Sequence, residues 1–523
     1  MNALFVTQGL NIRFQTALAD ALGPALPVEA RGFYVSDSFF HDAYREERPL
    51  FGSEPHVAAE WEIIREAGRT PADVAYLQER ERAYASGPLW DALVCDRRMM
   101  QGRWCKERQD YKPRFSHDMY LRILTAALRK IEALFDAVRP GVVFALVPVT
   151  FGEYLIWMVA QERGIPTLYL YPTKVQNYMC WMDSFFGQPE VLSTAYHDYR
   201  RGHRDEWIPK AEEYIRSVEG GPVRHEGMVA IPGTIKETEP GAESPLGAIL
   251  RVASAEIRYR LGPARYDNHV TPPAATLVRQ RFVMARRRAA VTRALGPRYL
   301  KRDDLARAPF AFYPLHAEPE VALSIQGKPY QNQIETMRNI ARSLPAGMRL
   351  VTKEHPRSIG YHPPSYYEKL LEIPNVRIAD AFIESRHVVA ASSLVVNVWS
   401  FVGFEAILHR KPVVSLGTPP FTILPASMIR YVTDLNALHR ECRAAIDEYS
   451  YDASAVAHYV AACMKQSFPL DFYATYLEKR GRFTTDAADD RTSAGFDAFI
   501  TYTAARTREV YAARPPRSAA PAS

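Results

Sequence analysis

Cysteine is scarce in this chain. There are five in 523 residues, at positions 95, 105, 180, 442 and 463, with no C-x-x-C pair and no zinc-finger spacing. That excludes a disulfide scaffold and a thiolate metal cluster, and fits free thiols in a reducing compartment. Glycine is low (27) beside proline (38), which excludes collagen-like and glycine-rich linker chains and implies stiff loop punctuation. A strong charge of one sign is also missing. The 65 basic and 59 acidic residues leave a formal +6, too mild for a duplex-coating nucleic-acid binder. With 47% hydrophobic and 24% charged residues the chain is not mainly disordered. Long apolar runs are lacking too. Only Gly141 to Ala160 approaches bilayer length, and Pro148, Thr150, Gly152 and Glu153 interrupt its middle. It reads as a buried strand from Val142 to Val147, a loop, and a helix from about Glu153 to Arg163. Gly164-Ile165-Pro166 then stops the helix and Thr167 to Tyr171 starts another strand, which makes a βαβ unit. The amino terminus shows no basic leader, and the Pro-, Ala-, Ser- and Arg-rich residues 512–523 read as a disordered tail.

What is present is alternation. Leu4 to Thr7 and Gly32 to Ser36 read as strands. Leu121, Leu124, Leu128, Ile131, Phe135 and Val138 step by three and four along one helix that ends before Pro140. Phe40 to His117 is charged and aromatic and reads as a helical insertion or cap. The second half spells out strands at 310–315, 349–352, 376–379, 394–398 and 412–416, with helices at 331–344, 365–371, 384–391 and 401–409 between them. This rhythm describes an α/β protein of two Rossmann-like, doubly wound lobes with helical insertions. The expected division is 1–220 for a first lobe on the acceptor side and 221–305 for a linker and basic helical region. A second, donor-side lobe follows at 306–470, then C-terminal helices at 471–511 and the tail. Asn268 to Arg302 contains no acidic residue. Its arginines and lysine from 279 to 302 read either as a solvated connecting helix or as a contact for an anionic membrane or acceptor.

Polar residues gather in loops at strand ends of the second half: Leu315-His316-Ala317-Glu318-Pro319-Glu320, Lys353-Glu354-His355-Pro356 and Ser400-Phe401-Val402-Gly403-Phe404-Glu405. Parallel topology brings carboxyl ends of strands to one edge, where ligands bind. Lys353 and His355 offer donors to a phosphate, and Pro356 turns the chain out of the strand. Ser400 to Gly403 opens a helix, where backbone N–H groups favour an anion and Gly403 permits close approach. Glu405 in the first turn either offsets the helix dipole or accepts from ribose hydroxyls. Ser392 and Ser393, just before the 394 strand, either form a turn or cap, or donate to phosphate. Glu153, at the carboxyl end of a first-half strand, is either a helix N-terminal charge or a base. Gly9 and Asn11 either line the acceptor side or form an ordinary turn.

The run Lys353-Glu354-His355-Pro356, Ser392-Ser393, Trp399 to Leu408 with Gly403-Phe404-Glu405-Ala406, Lys411-Pro412-Val413-Val414 and Gly417-Thr418-Pro419-Pro420-Phe421 resembles the bacterial capsule polysaccharide biosynthesis family, over about residues 310 to 425. That family includes Kdo transferases of the GT-B fold. After Phe421 this chain has Thr422-Ile423 where those transferases have Trp-Gly. The resemblance implies a glycosyltransferase that uses a nucleotide-activated sugar such as CMP-Kdo. Lys353, His355, Pro356, Ser392, Ser393, Ser400 and Gly403 would hold the donor and Glu405 its ribose. Glu318, Glu320 and Glu153 are the candidate catalytic carboxylates. It further implies no cofactor and no bound metal, a glycan or lipid-linked acceptor, no nucleic-acid partner, and a cytoplasmic location, peripheral at the inner face of the plasma membrane. The alternatives are a glycerophosphotransferase, a nucleotide-sugar epimerase, and a non-catalytic nucleotide- or glycan-binding member of an assembly complex.

Overall fold

In the computed structural model the whole chain is described except residues 10, 27, 37–55, 103, 105–111, 220, 222, 224–244, 317–319, 473–492 and 514–523. The start of the expected 221–305 linker region, at 222 and 224–244, and nearly all of the expected tail therefore lie outside the described residues.

The first lobe strings together β1 (Ala3–Thr7), β2 (Arg31–Val35), β3 (Val57–Ala59), β4 (Val142–Ala145), β5 (Thr167–Pro172) and β6 (Tyr178–Met182). They lie in the order β6-β5-β4-β1-β2-β3, parallel except for β6. These strands are almost wholly buried, as sheets covered by helices on both faces require. The Leu121–Val138 periodicity becomes the helix His117–Val138. Ser116 caps it, and Ile123, Leu128, Ile131 and Phe135 pack it into the core. The region expected to be a helical insertion is more than that. It supplies β3, which extends the sheet beside β2 in register Phe33↔Val57. Three residues are too few for a period-2 signal to show.

The second lobe holds β7 (Phe310–Pro314), β8 (Arg349–Lys353), β9 (Val376–Ala379), β10 (Leu394–Asn397), β11 (Val413–Ser415) and β12 (Ile429–Tyr431). All are parallel, in the order β12-β11-β10-β7-β8-β9. Each sheet thus reverses its winding next to its first strand, between β1 and β4 in one lobe and between β7 and β10 in the other. Such a reversal leaves a crevice at the carboxyl ends.

The chain then returns to the first lobe. The helix Ala453–Lys465 packs on Glu190–Arg200 and Trp207–Val218, and β13 (Phe468–Pro469) pairs antiparallel with β6. The final described helix, Ser493–Ala512, lies against Asn11–Ala25. There Phe499 joins Phe14 in the core and Thr503 Oγ1 accepts from Trp181 Nε1 at 2.8 Å. No helix among the described residues is long and apolar enough to cross a membrane.

Candidate active site

A cavity of about 860 Å³ opens between the lobes. The first lobe contributes Gln8 and Gly9 after β1, Leu146 and Val147 after β4, and Lys174 after β5. From the second lobe come His316 and Glu320 after β7, Lys353 and His355 around the end of β8, and Trp399 and Ser400 after β10. Both winding reversals therefore empty into the same space. Among the described lining residues, Arg97, Arg98, Lys174 and Lys353 set four cationic side chains against one carboxylate, Glu320. The cavity is built to hold negative charge. Trp399, Phe401, Tyr171 and Phe472 add aromatic surface, and the buried Nε1 of Trp399 has no hydrogen-bond partner among the described residues.

The Lys-Glu-His spacing follows from strand geometry. Successive side chains leave an extended chain on opposite sides. Lys353 and His355 consequently reach the cavity, while Glu354 turns inward to accept a hydrogen bond from the Tyr367 hydroxyl. Lys353 is nearly buried, and its Nζ donates to the Ala381 carbonyl at 3.2 Å. Burial lowers its pKa to about 8 against the opposing pull of Glu405 and Asp380. Burial also raises Glu405 to about 7, with Lys353 pulling the other way. Pro356 begins a short 3₁₀ turn, Pro356–Ser358, that carries the chain away from the strand.

Ser400 lines the cavity, and its Oγ accepts from the Val402 amide at 3.2 Å at the start of the helix Val402–Leu408. Gly403 is placed differently from the expectation. It is buried, and a Cβ there would stand 2.9 Å from both Asn397 Nδ2 and Phe421 Cζ. The close approach it permits is to the end of β10 and to the Pro-Phe loop, not to a ligand. Glu405 lies behind Lys353, outside the cavity lining. Ser392 and Ser393 are at the amino end of β10, the edge opposite the cavity. The Ser392 hydroxyl donates to Val389 O at 2.8 Å, and the Ser393 amide donates to Phe310 O at 2.9 Å. Residues before a parallel strand and residues after it sit on opposite edges, so these serines cap and pair; they do not reach the ligand space.

The three carboxylates also separate. Glu318 lies outside the described residues. Glu320 lines the cavity and pairs with His316 Nδ1 at 3.5 Å. Burial alone would raise Glu320, but His316, Arg97 and Lys174 hold it below the usual carboxylate range. Glu153 is 5% exposed and absent from the lining. It completes a capping box with Thr150, accepts from the Val149 amide at 2.7 Å, and takes Gln8 Nε2 at 3.0 and 3.1 Å. Its carboxylate closes the β4 loop and ties it to β1.

Sequence reasoning passed over several groups. His316 sat in a quoted loop without a role. In the structure its Nε2 is buried with no partner among the described residues, and its backbone is clamped by the Gln333 side chain at 2.8 and 3.1 Å. Gln8, Arg97, Arg98 and Lys174 carried no motif. Nor did a buried cluster at the first-lobe wall, Glu60, Asp96 and His269, whose polar atoms lie within 4.8 Å of one another. That spacing would admit a cation. However, Asp96 already accepts from Asn268, the Arg98 amide and His269. Glu60 Oε2 accepts from Tyr34, Thr150 and the Gly152 amide. This is a hydrogen-bonded acid–base network.

The capsule polysaccharide biosynthesis protein family matches residues 250–465, a span that includes every motif at the cavity's second-lobe wall. The family segment thus covers the basic helices, the second sheet and the helix that returns to the first lobe. No curated protein matches. Among solved structures, KpsC of Thermosulfurimonas dismutans, a β-Kdo 2,7 transferase, is similar at 11% identity and a TM-score of 0.31, over 64% of this chain and 80% of that one. The UDP-GlcNAc 2-epimerase of Neisseria meningitidis is similar at 9% and 0.24, over 89% and 99%. Anabaena HepE in complex with UDP-glucose is similar at 9% and 0.26, over 97% and 99%.

Proposed function

We propose that this protein is a glycosyltransferase of capsule or surface-polysaccharide assembly that takes a nucleotide-activated sugar into the inter-lobe cavity. The observation that carries this reading is the meeting of both sheets' winding reversals in one space whose described charged lining is four Lys or Arg side chains and one carboxylate. Lys353, His355 and Ser400 meet the donor's phosphate from the second lobe, with Arg97 and Lys174 opposite. Trp399 and Phe401 offer surface to the base or sugar. Glu320, paired with His316, is the cavity's own carboxylate. CMP-Kdo or a similar nucleotide-activated sugar is the candidate donor, and Thr422-Ile423 in place of the Kdo transferases' Trp-Gly leaves its sugar open. Incubation with CMP-, UDP- and CDP-linked sugars and alcohols, read by product mass, tests the reading. A mass increase of the acceptor by one sugar supports it. Epimerised sugar, glycerol phosphate transfer or hydrolysis alone would replace it.

A peripheral membrane position belongs to the same proposal. Seven of the twelve large hydrophobic residues that the described chain leaves exposed fall between 249 and 282: Ile249, Leu250, Ile257, Leu261, Leu277, Val278 and Phe282. Exposed arginines at 251, 258, 260 and 281 flank them. Apolar side chains beside arginine suit an anionic lipid surface. Several arginines of this region also have protein partners, Arg260 with Glu256 Oε1 at 2.8 Å among them. Arg279 stacks 4.1 Å from the Trp104 ring centroid, and Arg288 donates to Ile359 O at 3.2 Å. Sedimentation with anionic vesicles, reduced in Leu261→Glu/Phe282→Glu and absent with neutral vesicles, is the expected result.

A further inference from the structure

A second cavity, of about 570 Å³, lies beside the first, and Glu320 lines both. The helical insertion of the first lobe gives it Met100 and Gln101. The second lobe gives it Gln331, just ahead of the helix Gln333–Ser343, and Ser365, Tyr366 and Lys369 from the helix Pro364–Leu371. The partition between the cavities is one short segment. Val321, Ala322 and Gln326 line the first cavity, and Leu323 and Ser324 line the second. This segment belongs to the second lobe but is pinned to the first. Ile325, 2% exposed, packs into the first lobe's core, and Gln326 Nε2 donates to Phe185 O at 2.9 Å. Lys328 then pairs with Asp91. At the other end the Glu320 carbonyl accepts from the Ser324 amide at 2.9 Å and from its hydroxyl at 3.1 Å. The wall is therefore held in place while space stays open on both its sides.

The two cavities differ in chemistry. The described lining of the first has four Lys or Arg side chains and one carboxylate, which suits phosphate. The described lining of the second has one charge of each sign, Lys369 and Glu320. A second phosphate would find little compensation there. What this lining offers is neutral hydrogen bonding. Gln101 and Gln331 are half-buried, and Ser365 is exposed. A carboxamide carries both donor and acceptor, and so matches a sugar hydroxyl, which is also both. Met100 and Leu323 add apolar surface, and Tyr366 adds a ring. That ring is held in place by stacking on His362, with centroids 3.8 Å apart and planes 10° from parallel. Apolar and aromatic surface with a few fixed polar groups, in about 300–1,000 Å³, is the usual make-up of a small-molecule site.

We infer that the second cavity is the acceptor subsite. It holds uncharged sugar units of a glycan acceptor, whose reacting end passes Glu320 into the donor cavity. This rests on the transferase reading above and deepens it. The glycan, not a lipid attached to it, is what the cavity recognises, and the helical insertion takes part in that recognition.

The test uses the full chain. Binding probes are CMP, UDP and lipid-free di- to tetrasaccharides of bacterial surface polysaccharides, with their octyl glycosides for comparison, followed by saturation-transfer NMR. Sugar binding should persist under saturating CMP or UDP, because the two ligands occupy separate cavities. Ser365→Trp puts bulk into the second cavity from an exposed position. It should weaken sugar binding and raise the acceptor KM by about tenfold or more, with kcat little changed. Gln331→Ala should do the same by about fivefold, the loss of one hydrogen bond. CMP or UDP affinity should stay within about twofold in both variants, since separate sites act independently. Should Ser365→Trp fail to fold, Gln331→Ala carries the test. Displacement of every bound sugar by nucleotide would overturn the inference. So would unchanged sugar affinity and KM in both variants, or no binding of any lipid-free oligosaccharide. An effect confined to the octyl glycosides would assign the cavity to a lipid and overturn it too. Sugar binding that Ser365→Trp weakens, in a protein that binds neither nucleotide and turns over no donor, would instead overturn the transferase reading and leave a glycan-binding site without an acceptor role.

Discussion

The two walls that face each other across the cavity are assembled in opposite ways. The second-lobe wall is local. Lys353, His355 and Ser400 lie within a residue or three of the strands that deliver them, so each short motif carries its own address. The first-lobe wall is non-local. Gln8, Arg98 and His269 come from a strand end, a five-residue helix and a connecting segment. Behind them Glu60 is held by Tyr34 from β2 and by Thr150 and Gly152 from the loop after β4, two more stretches of chain. The contrast suggests a division of labour. The second-lobe wall, proposed to meet phosphate, works with side chains at the surface of one edge. The buried Glu60–Asp96–His269 network draws on residues that only a complete core can bring together.

That comparison can be broken in graded steps. The largest effect should come from Lys353→Met or His355→Ala. Loss of a charged hydrogen bond costs about 1.5–3 kcal/mol, so nucleotide affinity should fall about tenfold or more, read by calorimetry, with little change in thermal stability. Unchanged affinity would remove the second-lobe wall from donor binding. Next is Gly152→Ala. A Cβ there would lie 1.7 Å from the Tyr34 hydroxyl and 2.6 Å from Glu60 Oε2. Overpacking should cost about 1–3 kcal/mol of stability in a denaturant titration and disturb the buried Glu60 network while nucleotide binding persists. A silent substitution would mean that the cluster tolerates displacement.

A pH titration separates the walls more gently. Lys353, lowered to about 8, is charged below that pH and neutral above it. Affinity for CMP or UDP should therefore weaken as pH rises through about 8, with the midpoint higher in the complex because a bound phosphate favours the charged form. Lys353→Arg should abolish that limb. A limb that survives the substitution belongs to another group. The smallest effect is expected from Ser392→Ala. Its hydroxyl only caps Val389, so about 1 kcal/mol or less of stability should be lost, with transfer unaltered. A large loss of transfer would put Ser392 back at the ligand.

Most of the second lobe was legible because its strands are buried on both faces and punctuated by proline and glycine. Val376–Ala379 agrees with the reading residue for residue, and the neighbouring strands agree within one or two positions. β3, β6, β12 and β13 were not legible. They are short edge strands or, for β6, an antiparallel strand beside one, and their pairing, not their periodicity, makes them strands. Ser392 and Ser393 show another limit. Their closeness in sequence to β10 hid the fact that a strand's two ends lie on opposite edges. Gly403 shows a third, because a glycine needed for packing looks the same in sequence as one needed for a phosphate.

Sequence alone determined the α/β alternation, the winding of the second lobe and the Lys353–His355 pair, because these depend on hydrophobic period and on residues a few positions apart. Tertiary structure alone decided which polar groups share the cavity, that Glu153 closes a loop, and that Asp96 and His269 meet 173 positions apart in the chain at 3.2 Å. Those outcomes depend on burial and distance between remote segments, quantities that a linear pattern does not contain.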